Sequence, residues 1–192
     1  MLNHIRPALT SLLALTLVLG VAYPLAMTGV AQAIAPDAAN GSFVRVGGRI
    51  VGSRLIGQTF TRDGYVHGRP SAAGDGYDPT QSGGSNLGPM EPKLADRIAK
   101  SAAALGAGRS AIPVDAVTTS ASGLDPDISP AFARLQAPRV AAARHVDLGA
   151  VQAVIDQHTE GRFAGLIGEP RVNVLAVNVA LDQRFPTGKP RS

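Results

Sequence analysis

The strongest constraint on this chain is a run from Pro7 to Pro36 that contains no charged residue. Within it, Leu9–Leu25 (LTSLLALTLVLGVAYPL) is nearly all apolar, and Met27, Val30 and Ile34 continue the character. About 20 apolar residues in a helix cross a hydrocarbon core of roughly 30 Å. Residues 7–36 are therefore expected to form a transmembrane helix behind a short tail, residues 1–6. Pro24 lies inside this helix and predicts a kink, which a membrane helix tolerates where neighbours satisfy the freed carbonyl. A cleaved export signal is the competing reading: Arg6 supplies the basic start and Ala31-Gln32-Ala33 matches an A-x-A site. The apolar core exceeds the roughly 7–15 residues of a usual signal core, which favours retention. Charge does not orient the helix, because Arg6 lies before it and Arg45 and Arg49 follow it.

The remaining length suits one domain in a chain of 192 residues. Net charge is +4, with 18 Lys and Arg against 14 Asp and Glu. The cations are scattered, and aromatics are only 4%. Stacking platforms and basic tracks are thus missing, and nucleic acid is excluded as a partner. There is no cysteine. That removes disulfides, thiol nucleophiles and thiolate metal sites. Four histidines without HxxxH spacing give no metal site.

After the turn Asn40-Gly41-Ser42, two short β-rich runs flank Gly47-Gly48, the signature of a hairpin. Arg45, Arg49 and Arg54 suggest that one face is wet. Gly52 and Gly57 weaken the second strand or mark a bulge. Asp63-Gly64 marks a further turn.

Gly68–Pro89 (GRPSAAGDGYDPTQSGGSNLGP) follows, with no helical or strand period. A loop of this length inside a compact domain is usually functional or disordered. Its varied sequence, with Arg69, Tyr77 and Asn86 among the glycines, argues for an ordered one. Gln81-Ser82-Gly83-Gly84-Ser85-Asn86 could form a backbone nest for an anion, with a left-handed residue at Gly83 or Gly84.

Beyond the loop, Pro92 starts a helix with Leu94, Ile98, Ala102 and Leu105 on its buried stripe and Gly106 as its stop. Residues 111–127 give a short apolar piece and then turns. Ser129-Pro130 reads as N-cap and first turn of the next helix, which Pro138 is expected to break or kink. Arg134, Arg139 and Arg144 read as a solvated face. Asp147 caps a third helix with Leu148, Val151, Val154 and Ile155 inside. His158 sits near its C-terminus, where a cation suits the dipole. Residues 173–181 (NVLAVNVAL) fit a buried strand or a buried helix, and Asn173 and Asn178 would then need internal hydrogen-bond partners. The overall class is α+β: one N-terminal transmembrane helix, then a single small soluble domain, residues 37–192, with a β-hairpin and several helices.

Catalytic machinery is not visible. There is no Asp-Lys-Thr-Gly phosphorylation motif, no GxxxxGK[ST] cradle and no GxSxG elbow. A single span also cannot build an ion path. Gly20, Ala22, Ala26 and Gly29 would let neighbouring helices approach this one closely.

A set of phrases in order carries a family resemblance: Asn40-Gly41-Ser42, Gly52-Ser53 with Leu55–Gln58, Gly68–Ala72, Ser82–Leu87, Ser122–Pro126 with Ile128–Pro130, Pro138–Ala141, and Pro170–Leu175. Together they resemble the KdpC family, the small subunit of Kdp potassium-transporting P-type ATPases, from Arg6-Pro7-Ala8 to Leu181-Asp182. The family pattern commonly has an aromatic where this chain has Val66. The resemblance implies a retained single span in the cell inner membrane, a cytoplasmic N-terminus and a domain on the outer face. It implies a non-catalytic subunit that raises the ATP affinity of the catalytic P-type subunit. Its implied partners are that subunit, the potassium-channel-like subunit and the lipid bilayer. ATP is the one cofactor it suggests, with Gln81–Asn86 as a nucleotide or interface loop. A secreted or membrane-tethered periplasmic domain for a small anionic ligand is the alternative.

Overall fold

The computed structural model describes residues 4–106 and 112–186. Residues 1–3 of the expected tail, and Ala111 at the start of the 111–127 piece, lie outside them. The chain separates into two compact units, one running to Phe43 and one starting at Val44.

The first unit is one continuous helix of 30 residues, Ile5–Ile34. It comprises α1 (Ile5–Leu17), a π-helical turn (Val18–Ala22) and α2 (Tyr23–Ile34). The π turn lies just ahead of Pro24. A proline has no N–H and its ring crowds the carbonyl four residues back, here that of Gly20. The ladder steps outward there, and the Tyr23 N–H donates to the Val18 carbonyl. The wider turn accommodates the proline. No residue of this helix is buried by the chain itself, and its mean hydropathy reaches 1.9. After α3 (Pro36–Ala39), the side-chain amides of Asn40 and Gln32 exchange two hydrogen bonds, at 3.0 and 3.2 Å. The chain thus doubles back onto the last turn of the helix before Phe43.

The expected hairpin forms from β1 (Phe43–Val46) and β2 (Arg49–Ser53). Gly47 and Gly48 take φ of +57° and +79°, the left-handed pair of a tight hairpin turn. The expected single wet face is corrected: Phe43 and Ile50 are each 49% exposed, like Arg45 and Arg49 beside them. The hairpin is covered only in part, where Gly52 lies against the side chains of Gln58 and Leu175 and Val44 is half-buried.

The helix α4 (Pro92–Leu105) starts at its proline and ends on Gly106 at φ +62°. Its stripe is only half-buried, with no residue fully inside. The core lies further on. It is built from β3 (Asp127–Ile128), α5 (Pro130–Arg144), α6 (Leu148–Gln157), β4 (Thr159–Glu160), β5 (Arg171–Asn173) and α7 (Val174–Arg184). The sheet order is β3-β5-β4, both pairings antiparallel, so the buried Val172 faces Ile128 on one side and Thr159 on the other. Phe132, Val140, Val151, Ile155, Val177 and Leu181 close over it from the helices. Of the expected α6 core, Leu148 is the exception, at 39% exposed.

Ser129 caps α5 by accepting from the Phe132 N–H at 3.0 Å. The helix then runs through Pro138 without the expected break. Pro138 and Arg134, whose carbonyl loses its partner, both lie on the exposed side, where water can satisfy that oxygen. Residues 174–181 are helix, not strand. Asn173 ends β5 and caps α7, accepting from the Ala176 N–H at 3.1 Å. The His158 ring Nδ1 lies 2.8 Å from the Val154 carbonyl, at the end of α6.

The arginines of α5 are not all a solvated face. Arg134 does pair in the open with Asp156 at 2.7 Å. Arg139 and Arg144 instead grip the segment 62–67. Arg139 donates to the carbonyls of Asp63 (2.6 Å) and Tyr65 (3.0 Å). The Arg144 side chain is fully buried and donates to Gly64 O (2.6 Å), Phe185 O (2.8 Å) and the Asp182 carboxylate (2.8 Å). Its guanidinium also lies 5.0 Å from the Tyr65 ring centre. Two amide side chains extend the grip. Asn178 accepts from the Val66 N–H and donates to its carbonyl, both at 2.8 Å. Gln136 does the same for His67, at 2.8 and 3.0 Å. An irregular segment thereby has its backbone groups satisfied where it enters the core, and Val66 itself is fully buried.

His67 gives this segment a pH dependence. Burial, and then the Arg139 charge, push its imidazole below the usual 6.5. The folded state therefore holds its proton less tightly than the unfolded one. Stability is complete above the unfolded value and falls as pH drops through the window beneath it. Urea midpoints measured from about pH 7.5 down to about pH 5 should decline. His67→Gln should flatten that part of the decline.

Candidate functional site

The long loop has no helix or strand, yet it is bound at many points. Ser71 is its hub. Its hydroxyl donates to the Gly123 carbonyl (2.7 Å) and accepts from the Tyr77 (2.9 Å) and Ala73 (3.1 Å) amides. Tyr77, itself at φ +58°, turns its hydroxyl back to donate to the Arg69 carbonyl at 2.8 Å. Burial, and then the nearby Asp125 charge, push the Tyr77 hydroxyl up to about 12, so it remains a neutral donor. Arg69 pairs with Asp125 at 2.9 Å. Asp78 organises the next turn by accepting from Thr80 and Gln81, and these bonds hold its carboxyl below the ordinary carboxylate value.

The seat for the loop is the segment Thr119–Asp125. Gly123 makes the seat possible, with φ +69° and the Ala73 backbone and Gly83 carbonyl pressed against its Cα. Two phrases that looked separate in the sequence, Gly68–Ala72 and Ser122–Asp125, are thus two sides of one interface within the domain.

The candidate residues Gln81–Asn86 lie along this seat. Gln81 donates to Asp78, the Ser82 hydroxyl donates to Ser122 O at 3.0 Å, and the Gly83 amide donates to the same carbonyl at 2.8 Å. The left-handed glycine expected at Gly83 or Gly84 is corrected: the positive φ in this stretch falls on Asn86, at +52°. Gly84 is small for another reason, since a Cβ there would stand 3.1 Å from the Ala121 carbonyl. The Gly83 N–H points to protein, not outward to an anion.

A second feature has no counterpart in the sequence reading. Between β4 and β5 the chain forms a tight apolar tip, with Phe163, Leu166 and Ile167 at 77, 83 and 67% exposed. The tip is rigid by construction. Phe163 and Ile167 exchange backbone hydrogen bonds at 2.8 and 3.0 Å, and Arg162 pairs with Glu169 at its base. Arg171 pairs with Glu160 and Asp127 close by, so the base carries no excess positive charge. The available signal was GRFAGLIGE, an apolar run between opposite charges and cut by glycines.

The class that these features define is a small α+β domain that follows an apolar helix long enough to cross a membrane and that carries an ordered loop and an exposed apolar tip. The family model described as "K+-transporting ATPase, c chain" matches residues 5–183. The chain belongs to this family, KdpC. Relatives named potassium-transporting ATPase KdpC subunit are similar over nearly their whole length. That of Caulobacter vibrioides is 59% identical, covering 97% of this chain and 96% of the relative. That of Beijerinckia indica is 54% identical, covering 99% and 98%. That of Acidobacterium capsulatum is 54% identical, covering 95% and 99%.

Proposed function

We propose that this chain is a non-catalytic, single-span subunit of a potassium-transporting ATPase complex, and that its domain holds the complex together from the outer face of the inner membrane. The observation that carries this is the match of one family over residues 5–183, helix and domain alike. Retention of the helix is supported by its continuity across Ala31-Gln32-Ala33 and by the Gln32–Asn40 amide pair, which ties the two sides of that site together. Intact mass of the mature protein tests it. A chain beginning after Ala33 would support the alternative, a secreted anion-binding domain.

The apolar tip is the part of the domain best suited to a partner subunit. Its shape is preset, so docking costs little ordering. Its base lacks the surplus cations that draw a loop to anionic lipid. Burial of side chains this size contributes about 1.5–3 kcal/mol each. Phe163→Asp with Leu166→Asp should lower recovery of the partner subunits in detergent co-purification at least about tenfold. The melting temperature of the isolated chain should not move, because both side chains stand in solvent. Undiminished recovery would remove the tip from the interface.

We further read any contribution of this subunit to ATP affinity as indirect, through assembly. A loop on the outer face is separated from cytoplasmic nucleotide by roughly 30 Å of hydrocarbon. Gln81–Asn86 then serve as an interface loop. Photo-crosslinking of the complex with an azido-ATP would contradict this if label entered the loop.

A further inference from the structure

A cleft of about 460 Å³ lies between the hairpin and α7, wholly within the domain. Val46 and Val51 line it from the hairpin, and Leu175 and Val179 from α7. Segment 58–65 adds Phe60 and Tyr65, whose ring centres are 5.5 Å apart. The hairpin wall is fixed at its base. The Gln58 amide donates to the Val51 carbonyl at 3.3 Å, and a Cβ on Gly52 would stand 2.9 Å from Leu175 Cδ2. The cleft is thus preformed, and its size falls in the range of small-molecule sites.

Most polar groups around it are spent on the protein. The Asn178 amide is taken up by the Val66 backbone. The Asp182 carboxylate accepts from Arg144 on one oxygen and from the Tyr65 hydroxyl on the other, at 2.8 and 2.9 Å. Arg62 donates to that same hydroxyl at 3.1 Å and lies 4.8 Å from the Tyr65 ring centre. Two guanidiniums therefore flank one carboxylate, and a net positive charge is left over. It falls at Arg62, which is exposed and forms none of the ion pairs of the described residues. The hairpin adds a second cation. Its two-residue turn sets Arg49 opposite Val46, and strand alternation puts Val51 on the same face. Arg49 is exposed on that face and likewise has no ion pair among the described residues.

An apolar cleft with surplus guanidinium charge at its side complements an anion that carries an apolar body. We propose that the cleft binds a small organic carboxylate, its alkyl or aryl body between the hairpin and α7 and its carboxylate on Arg62, with Arg49 adding to the attraction. A bound ligand gives Val46 and Val51, 39 and 38% exposed, an apolar partner. The site is separate from Gln81–Asn86 and from the apolar tip, and it does not depend on where the N-terminal helix lies.

Methyl-labelled valine and leucine in the full chain, held in a non-ionic detergent, read the cleft directly. Phenylbutyrate is the probe, and phenylbutanol is its uncharged counterpart. The expected result is saturable shifts at Val46, Val51, Leu175 and Val179 with a Kd of about 1 mM or tighter. Phenylbutanol should bind about tenfold more weakly, and Arg62→Gln should lower the affinity for phenylbutyrate by a similar factor. Val51→Trp fills the cleft from a position open to solvent and should abolish the shifts at Leu175 and Val179. Equal affinity for the acid and the alcohol, a comparison that needs no variant, would overturn the anion assignment. Shifts that do not saturate, or that Leu13 in the apolar helix shares, would show partition into detergent and overturn the site. Cleft methyls that move only on addition of partner subunits would assign the cleft to protein and overturn the small-molecule reading.

Discussion

Arg144→Ala should lower the unfolding free energy of the domain by about 3–5 kcal/mol, the largest effect expected of a single side chain here. The Arg144 side chain is fully buried, and its guanidinium serves three separate acceptors, Gly64 O, Phe185 O and the Asp182 carboxylate. Truncation leaves two carbonyls without their donor and opens a cavity beneath Tyr65, and each deserted buried acceptor costs about 1–3 kcal/mol. Arg144→Lys should recover only a fraction, because a point ammonium on a flexible stem cannot reach donors' positions set by a planar fork. Asp182→Asn should cost much less, since Asp182 is 45% exposed and water can replace it. Urea denaturation in mild detergent reads the difference as a shift in midpoint at constant slope. An Arg144→Ala variant as stable as the parent would show that Arg139, Asn178 and Gln136 hold segment 62–67 without it.

Gly123→Val should unseat the long loop, at a cost on the order of 3 kcal/mol or more. Two penalties combine there. The backbone at φ +69° is one a β-branched residue rarely adopts. A Cβ would also stand 2.8 Å from both the Ala73 amide nitrogen and the Gly83 carbonyl oxygen, and backbone cannot swing aside as a flexible side chain can. Relief requires the loop to lift away, which breaks the Ser71–Gly123 and Gly83–Ser122 hydrogen bonds. The damage is local, so amide exchange across residues 68–89 should rise by orders of magnitude while amides of α5 and α6 change little. Gly83→Val is the matched control. Its Cβ meets nothing closer than the Gln81 carbonyl at 4.0 Å, and its φ is ordinary, so stability should stay within about 0.5 kcal/mol. The pair separates what the loop does for the fold from what it does for the complex. If Gly123→Val abolishes assembly and Gly83→Val does not, the seated shape of the loop is what partners read.

The errors of the sequence reading share a cause. Pro138 was expected to interrupt a helix because the local rule sees only the lost hydrogen bond. It does not see that the freed carbonyl, on Arg134, lies on the exposed side of α5. Arg139 and Arg144 were expected in solvent because charged side chains usually are. The carbonyls they hold in segment 62–67 lie about 75–80 residues away in the chain, and no local pattern records those. The left-handed residue of the Ser82–Leu87 stretch fell on Asn86 and not on a glycine, because Gly84 is small to admit the Ala121 carbonyl, not to turn.

What the sequence determined by itself is whatever depends on near neighbours. A charge-free apolar run of spanning length becomes a helix, Gly47-Gly48 becomes a hairpin turn, and Ser129 and Asp147 become helix caps, because each outcome is set within a few residues. The ordered phrases that mark the family are likewise read directly. The tertiary structure alone decided the rest. It turned NVLAVNVAL into a helix, because Asn173 could end a strand and begin α7 while Asn178 met the Val66 backbone across 112 residues. It made the long loop an ordered body by seating it on Thr119–Asp125, and it left Phe163, Leu166 and Ile167 in solvent. Burial and long-range hydrogen bonding are properties of surfaces brought together by the fold, and a linear pattern carries the residues that form them but not their meeting.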